Sequence, residues 1–303
     1  MNHGFSYAKA LAASEKVNWR VEDIIGGERR LDFGKPFMPE SLARVSELDF
    51  LGAEGRLKLN QIRANGYLYT FGLVEEFILP FVLDHARPML AVDDVRTRAL
   101  LRFASEEAKH IHLFRTFERE FAAGFGTPCQ MIGPAEEVGR AVLAHHPLSV
   151  ALLILQVEWM TQRHYLDSIR DNQELDGQFK SLLRHHWMEE AQHAQLDTLM
   201  VEVLAAGCTT QQIEQAVDGY LEIGGMFDDA FKQQVAFDLD ALQRATGQML
   251  TNGQAQRLAE VQHQAMRWTY LGSGIGHPNF LASVRALAPA QADRLAQVAL
   301  AFS

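Results

Sequence analysis

The sequence predicts an all-α protein, and three features of it carry this prediction. From about residue 40 onward, long stretches rich in Ala, Leu, Gln, Glu and Arg alternate with short turn signals, and these residue types favour helices. Glycine and proline fall between the stretches, where helices end. No segment shows the alternation of β-branched and polar residues that is typical of a surface strand.

The turn signals set the bounds of the expected helices. Pro88 stops the first long helix, and Pro147 suits the first turn of the third. Gly207 closes the fourth, and Thr209 with Gln212 reads as a capping box that opens a further helix. The four long helices of the middle are expected at about 56–86, 92–123, 147–171 and 174–206.

The chain divides into three expected parts. Residues 1–55 form an irregular N-terminal segment with a short helix, 56–206 the four-helix bundle, and 207–303 the C-terminal helices that pack on it. A short helix is expected at about 134–145. Two more, at about 253–271 and 288–302, flank a glycine-rich stretch, GSGIGHP, which we interpret as a turn between helices.

The composition limits what the chain can bind. Its 303 residues carry a formal net charge of −10, and an acidic surface repels phosphate backbones, so no nucleic-acid partner is expected. The two cysteines, Cys129 and Cys208, indicate neither a disulfide scaffold nor a zinc ribbon. The apolar runs are too short to cross a bilayer, and the N-terminal residues do not resemble a secretory signal. We expect a cytoplasmic protein with no membrane partner.

One five-residue word occurs twice in the sequence. Residues 106–110 read Glu-Glu-Ala-Lys-His, and residues 189–193 read Glu-Glu-Ala-Gln-His. Shifting the sequence by 83 residues matches 12 of the 40 positions between 74 and 113, among them Glu75 with Glu158. The word therefore lies inside a duplicated pair of helices.

The spacing within each word suits a metal ion. Residues three apart on a helix lie on one face, so Glu107 with His110 can bind one ion. Glu190 with His193 can bind a second in the same way.

Two further glutamates occupy apolar helix faces. Glu75 and Glu158 precede their words by the same distance, and a carboxylate on such a face is costly to bury unless it is paired or bound to a metal. Glu76 rivals Glu75 on the same helix, and the repeat favours Glu75. This is the pattern of a carboxylate-bridged site for two metals. In it, two helices supply one glutamate each, and the other two helices supply one Glu-x-x-His each. Ligands without thiolates suit iron or manganese rather than structural zinc. The alternative is that these residues form solvated, charged helix faces.

The motif resembles the ferritin-like di-iron carboxylate family over about residues 56–206. The resemblance implies an all-α fold, a ferritin-like four-helix bundle with additional N- and C-terminal helices. His186, four residues before Glu190, makes the spacing His-x-x-x-Glu-x-x-His, which is most similar to the p-aminobenzoate N-oxygenase branch. In that branch such a histidine is an extra iron ligand, and the di-iron centre activates O₂ to oxidise arylamines. The metal ligands that the resemblance implies are Glu75, Glu107, His110, Glu158, His186, Glu190 and His193.

The expected function is an O₂-activating di-iron oxidase or oxygenase that acts on a small organic substrate, with an arylamine N-oxygenase as its most specific form. The alternatives are a ferritin-like protein for iron binding and storage, a di-iron hydroxylase and a manganese catalase. The expected cofactor is two iron ions, with manganese or a mixed Mn/Fe pair as alternatives. The expected partners are the substrate, O₂ and an electron donor that the sequence does not name, and a homodimer is an open possibility.

The first glutamate of each word has a different expected role. Glu106 and Glu189 lie about 100° around the helix from the residues that follow them, so they miss the metals and face the neighbouring motif helix. A metal-bound imidazole needs an acceptor for its other N–H. In the di-iron family that the sequence resembles, the acidic residue just before Glu-x-x-His often serves the histidine of the opposite motif. The resemblance therefore implies that Glu106 pairs with His193 and Glu189 with His110. The candidates for a substrate pocket are Tyr67, Phe71, Phe103, Trp159 and Trp187.

Overall fold

The computed structural model describes residues 3–302, and within that range it contains helices and no strand. In chain order the helices are α1 (Tyr7–Ser14), α2 (Glu40–Ala43), α3 (Ala53–Ala86), α4 (Asp94–Phe125), α5 (Ala135–Leu143), α6 (Pro147–His164), α7 (Gly177–Ala206), α8 (Thr210–Thr246), α9 (Asn252–Arg267), α10 (Ser273–Ile275), α11 (Pro278–Leu287) and α12 (Pro289–Leu300). The predicted all-α class is confirmed.

A four-helix bundle of α3, α4, α6 and α7 forms the centre of the fold. Helix α3 packs on α4, α6 packs on α7, and α4 faces α7. Helix α8 covers α3 and α6, and α9 packs on α8. Fully buried side chains such as Leu68, Phe114, Leu155 and Met200 fill the bundle. This arrangement places the two copies of the duplicated hairpin against each other.

Local signals begin and end the bundle helices close to the predicted positions. The carboxylate of Asp93 caps α4 by accepting from the amide of Arg96, and Gly126 ends that helix in the left-handed region at φ 78°. Asp176 caps α7. The predicted capping box at the start of α8 is present, formed by Thr209 and Gln212.

The N-terminal segment, expected to be irregular with a short helix, contains α1, which packs on α4 and α7, and the shorter α2. The C-terminal part differs from its prediction at one point. The glycine-rich stretch, expected to be a plain turn, is mostly helical: a π-helical segment, Trp268–Gly272, leads directly into α10. A Cβ atom at Gly274 would lie 2.5 Å from Nε2 of Gln156, so glycine is needed here for close packing on α6, not for a turn.

Helix α3 with the turn after it, Ala53–Met89, is long and apolar enough to cross a membrane by length and composition, with a mean hydropathy of 1.3 over its best 18-residue window. Within the bundle, 67% of that window is buried against other helices. Its apolar character is therefore that of a central core helix.

Candidate metal centre

The bundle brings all seven candidate ligands into its interior. They are Glu75 of α3, Glu107 and His110 of α4, Glu158 of α6, and His186, Glu190 and His193 of α7. None is more than 3% exposed. Carboxylates removed from water to this degree need a compensating charge.

The carboxylate of Glu190 lies at the centre of the cluster. Its Oε1 atom is 3.2 Å from Nδ1 of His110, 3.2 Å from Nε2 of His186 and 3.2 Å from Nδ1 of His193. Oε1 of Glu75 lies 3.0 Å from Nε2 of His186. One oxygen atom therefore faces three imidazole nitrogens, as expected of a group that serves two ions at once.

The donor atoms fall into two overlapping groups, and within each group they lie within 4.8 Å of one another. One group is Glu75, His110, His186 and Glu190, and the other is Glu107, His110, Glu190 and His193. Each group offers two carboxylates and two imidazoles to one ion.

Glu158 and Glu76 lie outside the two donor groups. Glu158 belongs to neither group; it is 1% exposed and lies beside Glu190. Glu76, the rival of Glu75, points outward and pairs with Arg115 at 2.6 Å. Of these two neighbours, Glu75 is the one in the cluster.

Many polar atoms of the cluster have no hydrogen-bond partner. They include both carboxylate oxygens of Glu107, Oε2 of Glu75 and of Glu158, Oε1 of Glu190, and Nδ1 of His110 and of His193. Buried polar atoms in proteins nearly always have a hydrogen-bond partner. Oxygen and nitrogen atoms that face one another without such partners are therefore suited to bind metal ions. The residues present can hold two.

The first glutamate of each five-residue motif forms a hydrogen bond with the histidine of the other motif. Nε2 of His110 lies 2.8 Å from Oε2 of Glu189, and Nε2 of His193 lies 3.0 Å from Oε2 of Glu106. Both predicted hydrogen bonds are present. Against the effect of burial, the surrounding glutamates raise the pKa of both imidazoles well above the usual range. When a metal displaces the proton on Nδ1, the proton that remains on Nε2 and is donated to the glutamate gives the tautomer that a metal ligand requires.

A cation neutralises each of these outer glutamates. Nε of Arg102 donates to Oε1 of Glu106 at 3.0 Å, and the ammonium of Lys109 donates to Oε1 of Glu189. The Lys109 ammonium also lies 3.8 Å from the ring centre of Trp19. With the outer pair neutralised, the four inner glutamates match the charge of two divalent cations.

Burial sets the protonation of the inner groups. Burial, reinforced by the negative charge of Glu107, raises the pKa of Glu75 well above its usual range. Burial and the charge of Glu190 do the same for the pKa of Glu158. Burial lowers the pKa of His186 to about 3, so this imidazole is neutral and its unprotonated nitrogen can offer a lone pair to a metal. A raised carboxyl pKa is the sign expected of buried, crowded carboxylates whose charge is uncompensated, and bound cations would lower it.

Asp197, a further acid of the site, was not predicted from the sequence. It lies one turn beyond His193 on α7, is 1% exposed, and its Oδ2 has no hydrogen-bond partner. Burial raises its pKa well above the usual range. The available signal was its spacing of four residues from His193; the repeat gave none, because the equivalent position holds Phe114.

Two of the five pocket candidates touch the cluster. The ring of Phe103 stacks on His193 at 4.1 Å, and the ring of Phe71 lies 5.4 Å from His186. Phe71 also lines a mainly apolar cavity of about 20 Å³ that helices α3, α6 and α8 enclose.

The other three candidates make contacts outside the cluster. The hydroxyl of Tyr67 hydrogen-bonds to His164, and the ring of Tyr67 packs edge-on against Phe71 with 4.6 Å between the ring centres. The ring of Trp159 stacks on His277, and Trp187 stacks on Tyr165. Tyr67 therefore adjoins Phe71, whereas the two tryptophans do not line the small cavity beside it.

Comparison with solved structures finds R2-like ligand-binding oxidases. One with an aerobically reconstituted Mn/Fe cofactor has a TM-score of 0.44 and 13% identity, with 89% of this chain and 93% of that chain covered. A variant with an aerobically reconstituted Fe/Fe cofactor has a TM-score of 0.45 and 13% identity, with 87% and 93% covered. No protein-family model and no curated protein matches the chain. At this level of similarity, the case for a metal centre rests on the side chains described above.

Proposed function

We propose that the protein is an O₂-dependent oxidoreductase whose buried cluster holds two iron ions, or one manganese and one iron ion, and which oxidises a small organic molecule. The observation that carries the proposal is the pair of overlapping donor groups that share His110 and Glu190. Mixed carboxylate and imidazole ligands suit these metals. Two reduced metal ions at such a site would give electrons to O₂ and so activate it to oxidise an organic substrate.

The residues of the chain have distinct parts in this function. Glu190 belongs to both donor groups and would be shared by the two ions, and Glu106 and Glu189 fix the orientation of the two imidazoles. Phe103, fully buried against His193, keeps water from that side of the cluster. The small apolar cavity beside Phe71 has room for about one water-sized molecule. That space suits O₂ but not an organic substrate, which must therefore approach from another side.

Arylamine N-oxygenation is the most specific form of the proposal. Its support is His186, which lies with its Nε2 within 3.2 Å of both Glu75 and Glu190. The first copy of the repeat has Phe103 at the equivalent position. The cluster therefore departs from the symmetry of the repeat at this position, which favours redox chemistry over iron storage. A cytoplasmic location, an electron donor and a homodimer are further parts of the proposal.

Metal analysis followed by O₂ exposure tests the proposal. The protein, purified without metal and loaded with Fe(II) under anaerobic conditions, should bind two ions per chain and take up O₂ in proportion to protein, with a change in the optical spectrum. Glu190→Ala should lose both properties, whereas Glu76→Ala, which changes an exposed neighbour of the cluster, should lose neither. At most one ion per chain would overturn the assignment. Continued oxidation of Fe(II) far beyond two ions per chain would favour iron storage.

A further inference from the structure

The cavity beside Phe71 lies against both halves of the duplicated hairpin. Val74 of α3 and Val157 of α6 line it, and these two valines occupy matching positions of the 83-residue repeat. Each immediately precedes a candidate ligand, Glu75 or Glu158. The cavity is therefore placed between α3 and α6, next to the point where each helix supplies its glutamate.

One side chain connects the cavity wall with a candidate metal ligand. Phe71 lines the cavity, and the centre of its ring lies 5.4 Å from that of His186. Phe71 also lies one turn before Glu75 on α3, so both residues lie on the same face of that helix. A small molecule in the cavity therefore shares a neighbour, the Phe71 ring, with the cluster.

The wall of the cavity is apolar and lies in the interior of the protein. All of its side chains are buried. Phe227 and Phe231 of α8 form one side, and Leu153 and Met160 of α6 form part of another. Within the described part of the chain, the wall includes no charged side chain. Such a surface offers a guest molecule dispersion contacts rather than hydrogen bonds.

The two hydroxyl groups of the wall are directed to one carbonyl oxygen. Those of Thr70 and Tyr270 both donate to the carbonyl of Gly66, at 2.8 and 3.5 Å. A buried water molecule usually makes about three hydrogen bonds, and a wall whose hydroxyl hydrogens are already engaged cannot supply all of them. An apolar cavity of this kind stays empty of water.

We propose that this cavity is a binding site for O₂ that excludes water and hydrogen peroxide. O₂ is apolar and small enough for a space of about 20 Å³, and its transfer from water to an apolar site is favourable. Hydrogen peroxide needs hydrogen bonds that the wall does not offer, and burying it without them is costly.

The proposal rests on the proposed function, since it makes the cavity the place from which O₂ reaches the metal centre. It favours an oxidase over a catalase, because the substrate of a catalase is peroxide. It also gives O₂ a route separate from that of the organic substrate, for which the cavity is too small.

Nuclear magnetic relaxation in the metal-free protein tests the site, because dissolved O₂ is paramagnetic and speeds the relaxation of nuclei near it. Under a raised pressure of O₂, the methyl groups of Val74, Val157 and Leu271 should relax faster than those of Leu68 and Leu155. The last two are fully buried in the bundle and do not line the cavity, so they are controls matched for burial. The cavity methyl groups should also show no Overhauser effect to water. Equal relaxation of the two sets, or a water signal at the cavity methyl groups, would overturn the proposal.

Filling the cavity tests its part in the reaction. Val157→Ile adds one methylene group to the wall and should abolish the faster relaxation at Leu271. In the metal-loaded protein it should leave two ions per chain and slow O₂ uptake several-fold. Val74→Ile fills the same space from α3 and should act alike, whereas Val203→Ile, at an exposed site of α7, is the control and should not.

The proposed function and the cavity site fail in different ways. If O₂ enters the cavity of the metal-free protein but the metal-loaded protein consumes none, the proposed function fails and the binding site stands. If the loaded protein consumes O₂ at a rate that neither filled variant changes, the proposed function stands and the cavity is ruled out as the route.

Discussion

Nε2 of His110 donates a hydrogen bond across the bundle to Oε2 of Glu189, over 2.8 Å. The reciprocal bond joins His193 to Glu106 at 3.0 Å. Each copy of the repeated word therefore supplies a candidate ligand and also the acceptor that orients the other copy's ligand. The duplication explains why both words keep two consecutive glutamates: one faces the cluster and the other faces the neighbouring helix.

Replacing Glu189 by glutamine should weaken metal binding. The amide keeps the size of the side chain but is a poorer acceptor for the N–H of His110, and the loss of such a partner typically costs about 10–100-fold in metal affinity or activity. Titration of the metal-free protein with Mn(II), with free Mn(II) followed by electron paramagnetic resonance, measures the change. Glu202→Gln, on the same helix at the surface, is the control. An affinity equal to that of the parent would show that the hydrogen bond only packs the helices.

The two five-residue motifs differ at one position, where the first has Lys109 and the second has Gln192. Lys109 forms an ion pair with Glu189, whereas Gln192, its equivalent in the second word, donates only a 3.4 Å hydrogen bond to Glu106. Lys109→Gln makes the two words identical and leaves the carboxylate of Glu189, which is not exposed at all, without its cation. Because Lys109 itself is partly exposed, the expected loss of unfolding free energy is roughly 2 kcal/mol in the metal-free protein.

Denaturant unfolding with and without Mn(II) measures this effect. Metal ions restore positive charge near Glu189, so the loss should be smaller in the metal-loaded form. Gln192→Ala removes a weaker and uncharged contact and should change the stability less than Lys109→Gln does. A metal-free Lys109→Gln protein as stable as the parent would contradict the charge balance assigned to the cluster.

His186 should make the two ion positions different. His186→Phe copies the first half of the repeat, where Phe103 stands, and the new ring would lie among Phe71 and Phe114. The variant should still bind two ions, since the other six candidate ligands remain, but its optical spectrum after O₂ exposure should differ from the parent's. His185→Phe is the matched control, because His185 hydrogen-bonds to the carbonyl of Ser181 away from the cluster. Identical spectra for parent and His186→Phe would mean that His186 only packs.

The sequence predicted those features of the site that helix geometry alone decides. The three-residue spacing of Glu107 and His110 places both on one face of any helix, and the duplication then fixes where the second copy faces the first. The hydrogen bond between Glu106 and His193 was expected from the resemblance to di-iron carboxylate proteins, together with the need of a ligand imidazole for an acceptor. The spacing inference itself needed no knowledge of how the surrounding helices pack.

The features that depend on contacts between distant segments could not be predicted. A short helix was expected in the N-terminal segment, but its position could not be predicted, because α1 is too short to be stable alone and forms where α4 and α7 cover it. Gly274 looked like part of a turn because only the packing against Gln156 reveals why glycine is needed there. Trp159 and Trp187 are close to the cluster in sequence, but their rings stack on His277 and Tyr165 instead.

A buried acid far from the cluster should give the protein a distinct dependence on pH. Asp238 of α8 is 1% exposed, accepts a hydrogen bond from Gln234, and lies 3.8 Å from the guanidinium of Arg63. Burial, only partly offset by Arg63, raises the pKa of Asp238 from 3.8 to about 6. Between these two pH values the folded protein binds more protons at this site than the unfolded chain does. The contribution of Asp238 to stability is therefore fully present below about pH 4 and is lost as the pH rises through about 6.

Asp238→Asn should remove this dependence, because the amide cannot ionise. The two pKa values differ by about two units, so between pH 4 and pH 7 the variant should gain about 3 kcal/mol of unfolding free energy relative to the parent. Denaturant unfolding of both proteins across this range gives the difference directly, and the contributions of the metal cluster cancel in it. Asp240→Asn, which changes an exposed acid two residues further on that pairs with Arg244, should follow the parent. A difference between Asp238→Asn and the parent that stays constant with pH would show that Asp238 is ionised throughout this range, and that Arg63 fully offsets the effect of its burial.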